Sequence, residues 1–197
     1  AMRLAGVNKL VFASSGTVYG EVPSYPIDED HGPLLPISLY GASKLASEGL
    51  ISASSHLFGI QAWIFRFVNI VGGRATHGVI FDFINNLRRN PRELEILGDG
   101  TQEKPYLLVD ECVDGILFGL YNATKPLNVL HLGGTTTTDV MTIANIVVQE
   151  IGLSGVRLRP TGGERGWPGD VPQCWFSVDR IGALGWLFGI VRNPTRF

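Results

Sequence analysis

Leu10-Val11-Phe12-Ala13-Ser14-Ser15 is a short apolar run that ends in two hydroxyl side chains, and Tyr40-Gly41-Ala42-Ser43-Lys44 follows it near the start of a predicted helix. The run is typical of a buried strand. Residues Ser38 to about Leu57 are typical of a helix with Ser38 as its N-cap. A Tyr and a Lys four positions apart lie on the same helical face. Because open α/β folds bind ligands at the carboxyl edge of the sheet, a strand-end serine can share a site with this pair.

The composition is that of a globular protein. Of the 197 residues, 45% are hydrophobic and 17% are charged, which is enough to bury a core. A net charge of −2 and a pI near 6.1 give no electrostatic reason to bind nucleic acid or an acidic membrane. The two cysteines, Cys112 and Cys174, form no C-x-x-C pair, and no histidine stands at metal-ligand spacing from an acid or a cysteine, so we predict no disulfide framework and no metal site.

The sequence shows no sign of export or of a membrane span. The first residues are too short and too weakly apolar for a signal peptide, and no apolar run approaches about 18 residues. Two reduced thiols suit a cytoplasmic protein. We therefore expect a cytoplasmic location.

Strand and helix patterns alternate along the chain, and the strands are continuous apolar runs. This pattern favours an α/β fold with a parallel sheet covered on both faces. The predicted strands are Lys9–Ser14, Gln61–Phe67, Leu94–Leu97, Tyr106–Val109, Asn128–Leu132 and Val156–Leu158. Besides the first helix, the predicted helices are Val79–Asn90, Asp110 to about Ala123, Val140 to about Ile151, with the Thr135–Thr138 run as its cap, and a small one near Asp179–Leu184.

The chemistry of the Tyr, Lys and Ser side chains suits proton abstraction from a carbinol. A free tyrosine has a pKa near 10, which is too high for an efficient base at neutral pH. An adjacent ammonium and a positively charged nicotinamide ring both favour the phenolate. The bare Y-x-x-x-K pair is a weak motif, because a half-buried tyrosine and a solvated lysine explain it equally well.

The residues around the pair resemble the extended short-chain dehydrogenase/reductase family, specifically its sugar-nucleotide epimerases and dehydratases. The resemblance extends over nearly the whole chain at five ordered places, which are Phe12–Gly20, Ser38–Lys44, Arg66–Gly72, Gly98–Lys104 and Gly169–Pro172. It implies a partial doubly wound, Rossmann-like parallel sheet with a small α/β substrate-binding lobe. It also implies NAD as the cofactor and a nucleotide sugar, of the UDP-hexose type, as the substrate.

The resemblance implies a role for each matching residue. Tyr40 is the general base, Lys44 orients the nicotinamide ribose and Ser15 binds the sugar hydroxyl, so these three are the catalytic residues. The cofactor-binding residues are Ala13, Ser14, Tyr40, Lys44 and Phe67. The substrate-binding residues are Ser15, Asn69, Gly78, Val79, Lys104, Arg165 and Asp170. Some relatives have a phosphate-binding arginine where this chain has Trp167, and Arg165 is the nearby alternative.

Two reactions are open within the family. An epimerase inverts sugar carbon 4 through a 4-keto intermediate, as in the interconversion of UDP-glucose and UDP-galactose. A 4,6-dehydratase needs a further acid and base. The resemblance implies that a dehydratase of this family would carry Asp-Glu directly after the strand-end hydroxyl residue. This chain has Gly16-Thr17 there, and neither residue does general acid/base work at neutral pH. The same substitution argues against the related decarboxylases, so we favour the epimerase.

The family's glycine-rich phosphate turn does not follow the first strand of this chain. We therefore interpret residues 1–76 and 106–148 as the later half of an NAD-binding Rossmann domain, and residues 77–105 and 149–197 as the substrate lobe. On this interpretation the chain is a truncated form with an open sheet edge. We expect that, alone, it binds NAD weakly at best and turns over no sugar. The alternative is a non-catalytic remnant that binds a nucleotide sugar.

The first helix is also a predicted dimer contact. Family epimerases often dimerise through two long helices that include the Tyr-Lys helix. The apolar residues Leu45, Leu50, Ile51 and Leu57 are compatible with a homodimer, but burial in the core explains them equally well.

Overall fold

The computed structural model describes residues 1–188. The strands are β1 (Lys9–Ser15), β2 (Gln61–Phe67), β3 (Asn69–Val71), β4 (Glu93–Ile96), β5 (Glu103–Leu108), β6 (Leu127–Leu132), β7 (Thr137–Asp139) and β8 (Arg157–Pro160). The α-helices are α1 (Leu39–Phe58), α2 (Val79–Arg89), α3 (Val109–Asn122), α4 (Val140–Glu150) and α5 (Asp179–Gly182). Short 3₁₀ turns span Met2–Ala5 and Gly16–Val18.

The main sheet is parallel, with the strand order β1-β2-β6. Ser15 pairs with Phe67, and Phe67 pairs with Leu132, so these three strands end at the same edge. A second sheet has the order β3-β5-β7, with β3 parallel and β7 antiparallel to β5, and β4 pairs with β8 in parallel. The predicted α/β class with a parallel sheet is confirmed.

Helices cover both faces of the central strand β2, which is the reason for its apolar run from Ala62 to Phe65. On one face, Ile51 of α1 packs against Ala62 and Ile64 of β2. On the other face, Trp63 and Phe65 of β2 form the largest core cluster together with residues of α3 and β6. Burial on both faces is what a continuous run of apolar residues predicts for a parallel strand.

β1 is one of the two outer strands of this sheet. Its outer edge pairs with no strand within residues 1–188, and Val11, which is in register with Trp63 of β2, is 41% exposed. An uncovered strand edge presents unpaired N–H and C=O groups to solvent. The open edge expected from the sequence is therefore present in the described part of the chain.

A second core lies between α2, α4 and β4. Its buried residues include Phe83 and Leu87 of α2, Ile96 of β4, and Ile143 and Val147 of α4. α4 thus packs on α2, although the predicted domain division at residue 148 assigns the two helices to different units. The division stays a prediction, and residues 189–197 of the predicted substrate lobe lie outside the described residues. None of the helices within residues 1–188 combines the length and the apolarity needed to cross a bilayer.

The structure corrects the sequence interpretation in two places. The four-threonine segment does not simply cap a helix, because Thr137–Asp139 pairs with β5 as strand β7. The N-cap of α4 is Asp139, whose carboxylate accepts a hydrogen bond of 2.7 Å from the backbone N–H of Thr142. Strand β3 was also not predicted. The Ser38 cap of α1 is confirmed, because its hydroxyl accepts a hydrogen bond of 3.0 Å from the Gly41 N–H.

Candidate active site

Ser15 lies where the main sheet ends and the chain turns away from it. Its backbone is extended, and its hydroxyl accepts hydrogen bonds from the backbone N–H and the hydroxyl of Thr17, at 3.3 Å and 3.0 Å. These contacts cap the short 3₁₀ turn Gly16–Val18 and fix the Ser15 oxygen at the strand tip. A hydroxyl held in this way retains a donor and acceptor capacity toward a ligand.

The Tyr40 and Lys44 side chains lie on the first turns of α1, beside the end of β1. The Lys44 Nζ donates a hydrogen bond of 2.9 Å to the carbonyl oxygen of Ala13, and it lies 5.5 Å from the centroid of the Tyr40 ring. Tyr40 is 54% exposed, and its hydroxyl makes no hydrogen bond within the described residues. The helix therefore presents an accessible phenol with an ammonium beside it at the carboxyl edge of the sheet.

A cleft of about 210 Å³ opens at this edge, between the ends of β1 and β2, the start of β5 and the loop that contains Trp167 and Asp170. Five of the predicted site residues line it, namely Ser15, Phe67, Asn69, Lys104 and Asp170. Residues around the cleft also include Gly16, Thr17, Trp167, Gly169 and Cys174. A larger cavity of about 450 Å³ lies between α5 and Trp186–Phe188, but none of the predicted site residues lines it. We take the smaller cleft as the site because it contains the strand tip and its hydroxyl.

The other predicted residues lie outside the cleft lining. Tyr40, Lys44 and Ala13 are beside it, on α1 and β1, as described above. Gly78 and Val79 begin α2, and Gly78 adopts a positive φ of 101° as the N-cap of that helix. Their predicted contact with the substrate stays a prediction.

Lys104 and Asp170 form an ion pair at the far wall of the cleft. The second carboxylate oxygen of Asp170 accepts a hydrogen bond of 3.1 Å from the Gly166 N–H. The Lys104 side chain remains 25% exposed, so its ammonium can donate to a ligand as well as to Asp170. Arg165 donates to the Asp170 carbonyl oxygen at 2.6 Å and forms an ion pair with Glu21. Within this arrangement, Lys104 is the cation that faces the cleft.

Cys174 is the one thiol in the cleft lining. Burial raises the pKa of this thiol to about 11, and the nearby Lys104 only partly offsets the effect. The thiol therefore stays protonated at neutral pH and is a poor nucleophile. The second cysteine, Cys112, belongs to the core cluster of α3, where burial also raises its pKa to about 11. Neither thiol contributes to catalysis by this arrangement.

Beneath the strand tip lies a buried charge pair that the sequence analysis missed. Arg66 of β2 donates to both carboxylate oxygens of Glu48 on α1, at 3.0 Å and 2.6 Å. Ser14, predicted to bind the cofactor, is buried, and its hydroxyl donates to Glu48 at 2.5 Å. Glu48 lies four residues after Lys44 and eight after Tyr40, so it shares their helical face. This spacing is the sequence signal that indicates Glu48, because it places an acid on the face of α1 that carries Tyr40 and Lys44.

The network continues from Arg66 to a fully buried histidine. Arg66 Nη1 donates to the Tyr19 hydroxyl at 2.5 Å, and this hydroxyl lies 2.6 Å from His131 Nε2. His131 Nδ1 lies 2.9 Å from the Ser177 carbonyl oxygen, which only accepts, so we assign the proton to Nδ1 and the acceptor role to Nε2. Burial, with the positive charges of Arg66 and Arg180, lowers the pKa of His131 to about 3. His131 is therefore a neutral structural residue.

The sequence predicts no metal site from the spacing of four histidines, one of which is His131. Within residues 1–188, no group of three or more His, Cys, Asp or Glu side chains is placed to hold a metal ion.

Comparison with known proteins identifies the family. The model of the NAD dependent epimerase/dehydratase family matches residues 1–133. The chain is 33% identical over 190 residues to a putative UDP-glucose 4-epimerase of Methanocaldococcus jannaschii, an alignment that covers 94% of this chain and 59% of that protein. Among solved structures, a UDP-galactose 4-epimerase superposes with a TM-score of 0.84 at 38% identity, over 94% of this chain and 59% of the other.

A UDP-glucose 4-epimerase of Thermus thermophilus in complex with NAD has a TM-score of 0.81 at 27% identity, over 96% of this chain and 61% of the other. The chain thus spans about three fifths of the length of these relatives. The family model covers more than half of the 197 residues, and the parallel sheet, the strand-end serine and the Tyr-Lys helix all lie within it. The chain belongs to the NAD dependent epimerase/dehydratase family.

Proposed function

We propose that this chain carries the general base and the nucleotide-sugar cleft of an NAD-dependent 4-epimerase that acts on a UDP-hexose. The observation that carries the proposal is the exposed Tyr40 phenol beside Lys44, whose ammonium bonds to the Ala13 carbonyl oxygen two residues before Ser15, and Ser15 lines the cleft. The similarity to UDP-glucose and UDP-galactose 4-epimerases over 94% of the chain supports this substrate class. A cytoplasmic location stays a prediction.

The residues at the sheet edge fit the nicotinamide end of NAD. Lys44 and Tyr40 are donors at an open strand edge, and such donors suit the hydroxyls of a ribose. The backbone near Phe67, the β2 residue paired with Ser15, suits the carboxamide. When bound, NAD supplies the acceptor for a hydride and returns that hydride later in the cycle.

The chain's own residues supply the proton chemistry. Tyr40 takes the proton from the hydroxyl on sugar carbon 4, and Ser15 holds that hydroxyl by a hydrogen bond. The sugar carbon becomes a carbonyl, and the same phenol returns the proton once the sugar has presented its other face. Lys44 stabilises the phenolate form of Tyr40, which takes up this proton and is restored when the proton is returned. Lys104 meets the diphosphate as a point charge at the other wall of the cleft.

Position 16 favours the epimerase over the dehydratase. A β-carbon added to Gly16 would lie 2.3 Å from Cζ of Phe176, which is a buried aromatic ring. The space beside Ser15 therefore accepts no side chain, and a catalytic carboxylate at this position would require the ring to move. Thr17, the next residue, uses its hydroxyl to bind Ser15. This side of the site thus lacks the extra acid and base that elimination of water needs.

A second candidate function is binding of a nucleotide sugar without catalysis. The spacing G-x-x-G-x-x-G does occur in this chain, at Gly163-Gly166-Gly169, but it lies in the loop after β8 and opens no helix. It therefore does not match a phosphate turn, which follows a strand and begins a helix. The substrate cleft is formed, whereas the pyrophosphate turn does not follow β1. This combination favours a chain that binds UDP more readily than NAD.

Calorimetric titration of the same sample with UDP and with NAD tests the proposal. We expect UDP to bind, and Lys104→Met to weaken that binding by roughly tenfold, because a charge-assisted contact to phosphate is lost. We expect NAD to bind weakly and UDP-galactose to be turned over by this chain neither before nor after NAD is added. Absence of UDP binding would refute the nucleotide-sugar assignment. Tight NAD binding with turnover abolished by Tyr40→Phe would instead establish catalysis by these residues alone.

A further inference from the structure

Thr17 contacts both the strand-end serine and the helix that carries the tyrosine. Its hydroxyl donates a hydrogen bond of 3.0 Å to the Ser15 oxygen, and its backbone N–H donates to the same oxygen at 3.3 Å. Its carbonyl oxygen lies against the first turn of α1, because a β-carbon added to Gly41 would be 2.5 Å from that oxygen. Gly41 follows Tyr40 directly in the chain. One residue therefore connects the two groups that the proposed reaction needs.

The close approach of Thr17 to α1 requires a glycine on the helix. A side chain at residue 41 would meet backbone atoms of Thr17, which cannot turn aside as the end of a flexible side chain can. The same turn of the helix is fixed from its other end, where the Gly41 N–H donates to the Ser38 hydroxyl at 3.0 Å. The backbone of Thr17 is thus held at a short distance from α1, and its hydroxyl reaches Ser15 from a fixed place.

The two hydrogen bonds from Thr17 leave the proton of Ser15 for a ligand. A backbone N–H only donates, so Ser15 is the acceptor in its contact with the Thr17 backbone. In the contact between the two hydroxyls we assign the donor role to Thr17. Because Ser15 accepts in both contacts, its own hydrogen is committed to neither. Ser15 lines the cleft, so this hydrogen can be donated to a bound molecule.

The proposed reaction needs Ser15 in this role. Tyr40 takes the proton of the hydroxyl on sugar carbon 4, so the sugar oxygen turns its proton toward Tyr40 and offers a lone pair to Ser15. A donor at that position also stabilises the carbonyl oxygen as it forms. We propose that Thr17 is a positioning residue, which holds the Ser15 hydroxyl as a donor to the oxygen on sugar carbon 4. This inference rests on the proposed function and adds a residue that affects the sugar through Ser15.

Calorimetric titration of matched variants with UDP-galactose and with UDP tests the inference. Thr17→Val keeps the branched shape and removes the hydroxyl. We expect it to weaken UDP-galactose binding by roughly three- to tenfold and UDP binding by less than about twofold, because only the first ligand has a hydroxyl for Ser15 to hold. Thr17→Ser restores a hydroxyl and should recover most of the affinity. Thr101→Val is the matched control, because the Thr101 hydroxyl donates to Asp99 at 2.7 Å and this residue does not line the cleft.

Two further titrations separate positioning from a structural role. In the Ser15→Ala background, Thr17→Val should change the affinity for UDP-galactose by less than about twofold, because no hydroxyl remains for Thr17 to position. UDP-4-deoxy-galactose lacks the hydroxyl on carbon 4, so the wild type and Thr17→Val should bind it equally well. A loss of folding or a direct contact between Thr17 and the ligand would produce neither result.

The remaining outcomes separate this inference from the proposed function. Thr17 has no positioning role if Thr17→Val weakens UDP and UDP-galactose equally or weakens neither. A loss that persists in the Ser15→Ala background, or with UDP-4-deoxy-galactose, would also overturn the inference. In each of these cases, binding of UDP to the wild type still supports the cleft. Failure of UDP to bind to the wild type would overturn the proposed function and this inference together.

Discussion

The neutral, buried His131 makes the stability of the protein depend on pH in a way that can be calculated. Its pKa is lowered from 6.5 to about 3, first by burial and then by the positive charges of Arg66 and Arg180, although its hydrogen bond to Ser177 opposes the shift. A carboxylate oxygen of Glu29 lies 4.0 Å from Nδ1, but burial outweighs this neighbour. The folded protein therefore keeps the histidine neutral at pH values where the unfolded chain protonates it.

The sign and size follow from proton linkage. The pKa of His131 is lower in the folded protein than in the unfolded chain. His131 therefore costs the folded state no stability well above pH 6.5, and the free energy of unfolding decreases as the pH falls from there toward the folded pKa. Well below pH 6.5 the loss approaches about 1.4 kcal/mol per pH unit. Between pH 7 and pH 5, His131 should cost the folded state about 2 kcal/mol in free energy of unfolding.

Urea unfolding at several pH values, followed by circular dichroism, measures this cost. His131→Gln removes the titrating group. Between pH 7 and pH 5, the free energy of unfolding of this variant should therefore decrease by about 2 kcal/mol less than that of the wild type. Burial raises the pKa of Glu29, which adds a contribution of opposite sign as the pH falls through that raised value. Glu29 is present in both proteins, so its contribution largely cancels in the comparison. His56→Gln, on the exposed end of α1, is the matched control and should keep the wild-type decline.

Equal pH dependence of the wild type and His131→Gln would refute this reasoning. It would mean that the histidine is solvated or is protonated in the folded state. The absolute stability of the variant does not enter the test, because the two proteins are compared by how their stability changes with pH.

Two further predictions concern packing beneath the site. Arg66→Met leaves the Glu48 carboxylate buried without its partner and should lower the free energy of unfolding by about 3–5 kcal/mol. The double variant with Glu48→Leu should lose less stability than the sum of the losses of the two single variants. Additive losses in urea unfolding would rule out the coupling. A β-carbon at Gly119 would lie 2.8 Å from the ring of Phe65, so Gly119→Ala should destabilise the protein by about 1–3 kcal/mol. A β-carbon at Gly49 meets nothing within 4 Å, so Gly49→Ala should stabilise the protein by roughly 0.5–1 kcal/mol. A gain in stability at both positions would disprove the close approach of α3 to the sheet.

The elements that the sequence predicted well have a local cause. A parallel strand buried on both faces contains a continuous apolar run, here Ala62 to Phe65, and β2 has the bounds Gln61–Phe67 that the sequence predicts. The start of α1 follows from the Ser38 cap, whose hydrogen bond involves residues only three positions apart. Five of the predicted site residues also meet in one cleft. Ser15 and Phe67 do so because the parallel strands β1 and β2 bring their carboxyl ends to one edge.

The missed strands have no such local cause. β3 and β7 are each three residues long, which is too short for a periodic pattern. Thr137–Asp139 becomes a strand because Glu103–Pro105 of β5 pairs with it across a long stretch of sequence. The pairing of Lys104 with Asp170 is also a long-range contact, so no local rule could predict it.

The Glu48–Arg66 pair shows most clearly how the site depends on distant contacts. An acid on a helix is usually solvated, and only the guanidinium of Arg66 on β2 makes burial of Glu48 tolerable. Once buried, Glu48 also accepts the hydrogen bond from Ser14 on β1, so one carboxylate joins α1 to two strands. Tyr40 lies on the same face of α1 two helical turns earlier. The anchor of the helix and its reactive phenol therefore share one face, and a shift of α1 that moved Tyr40 from the strand tip would have to break the buried pair.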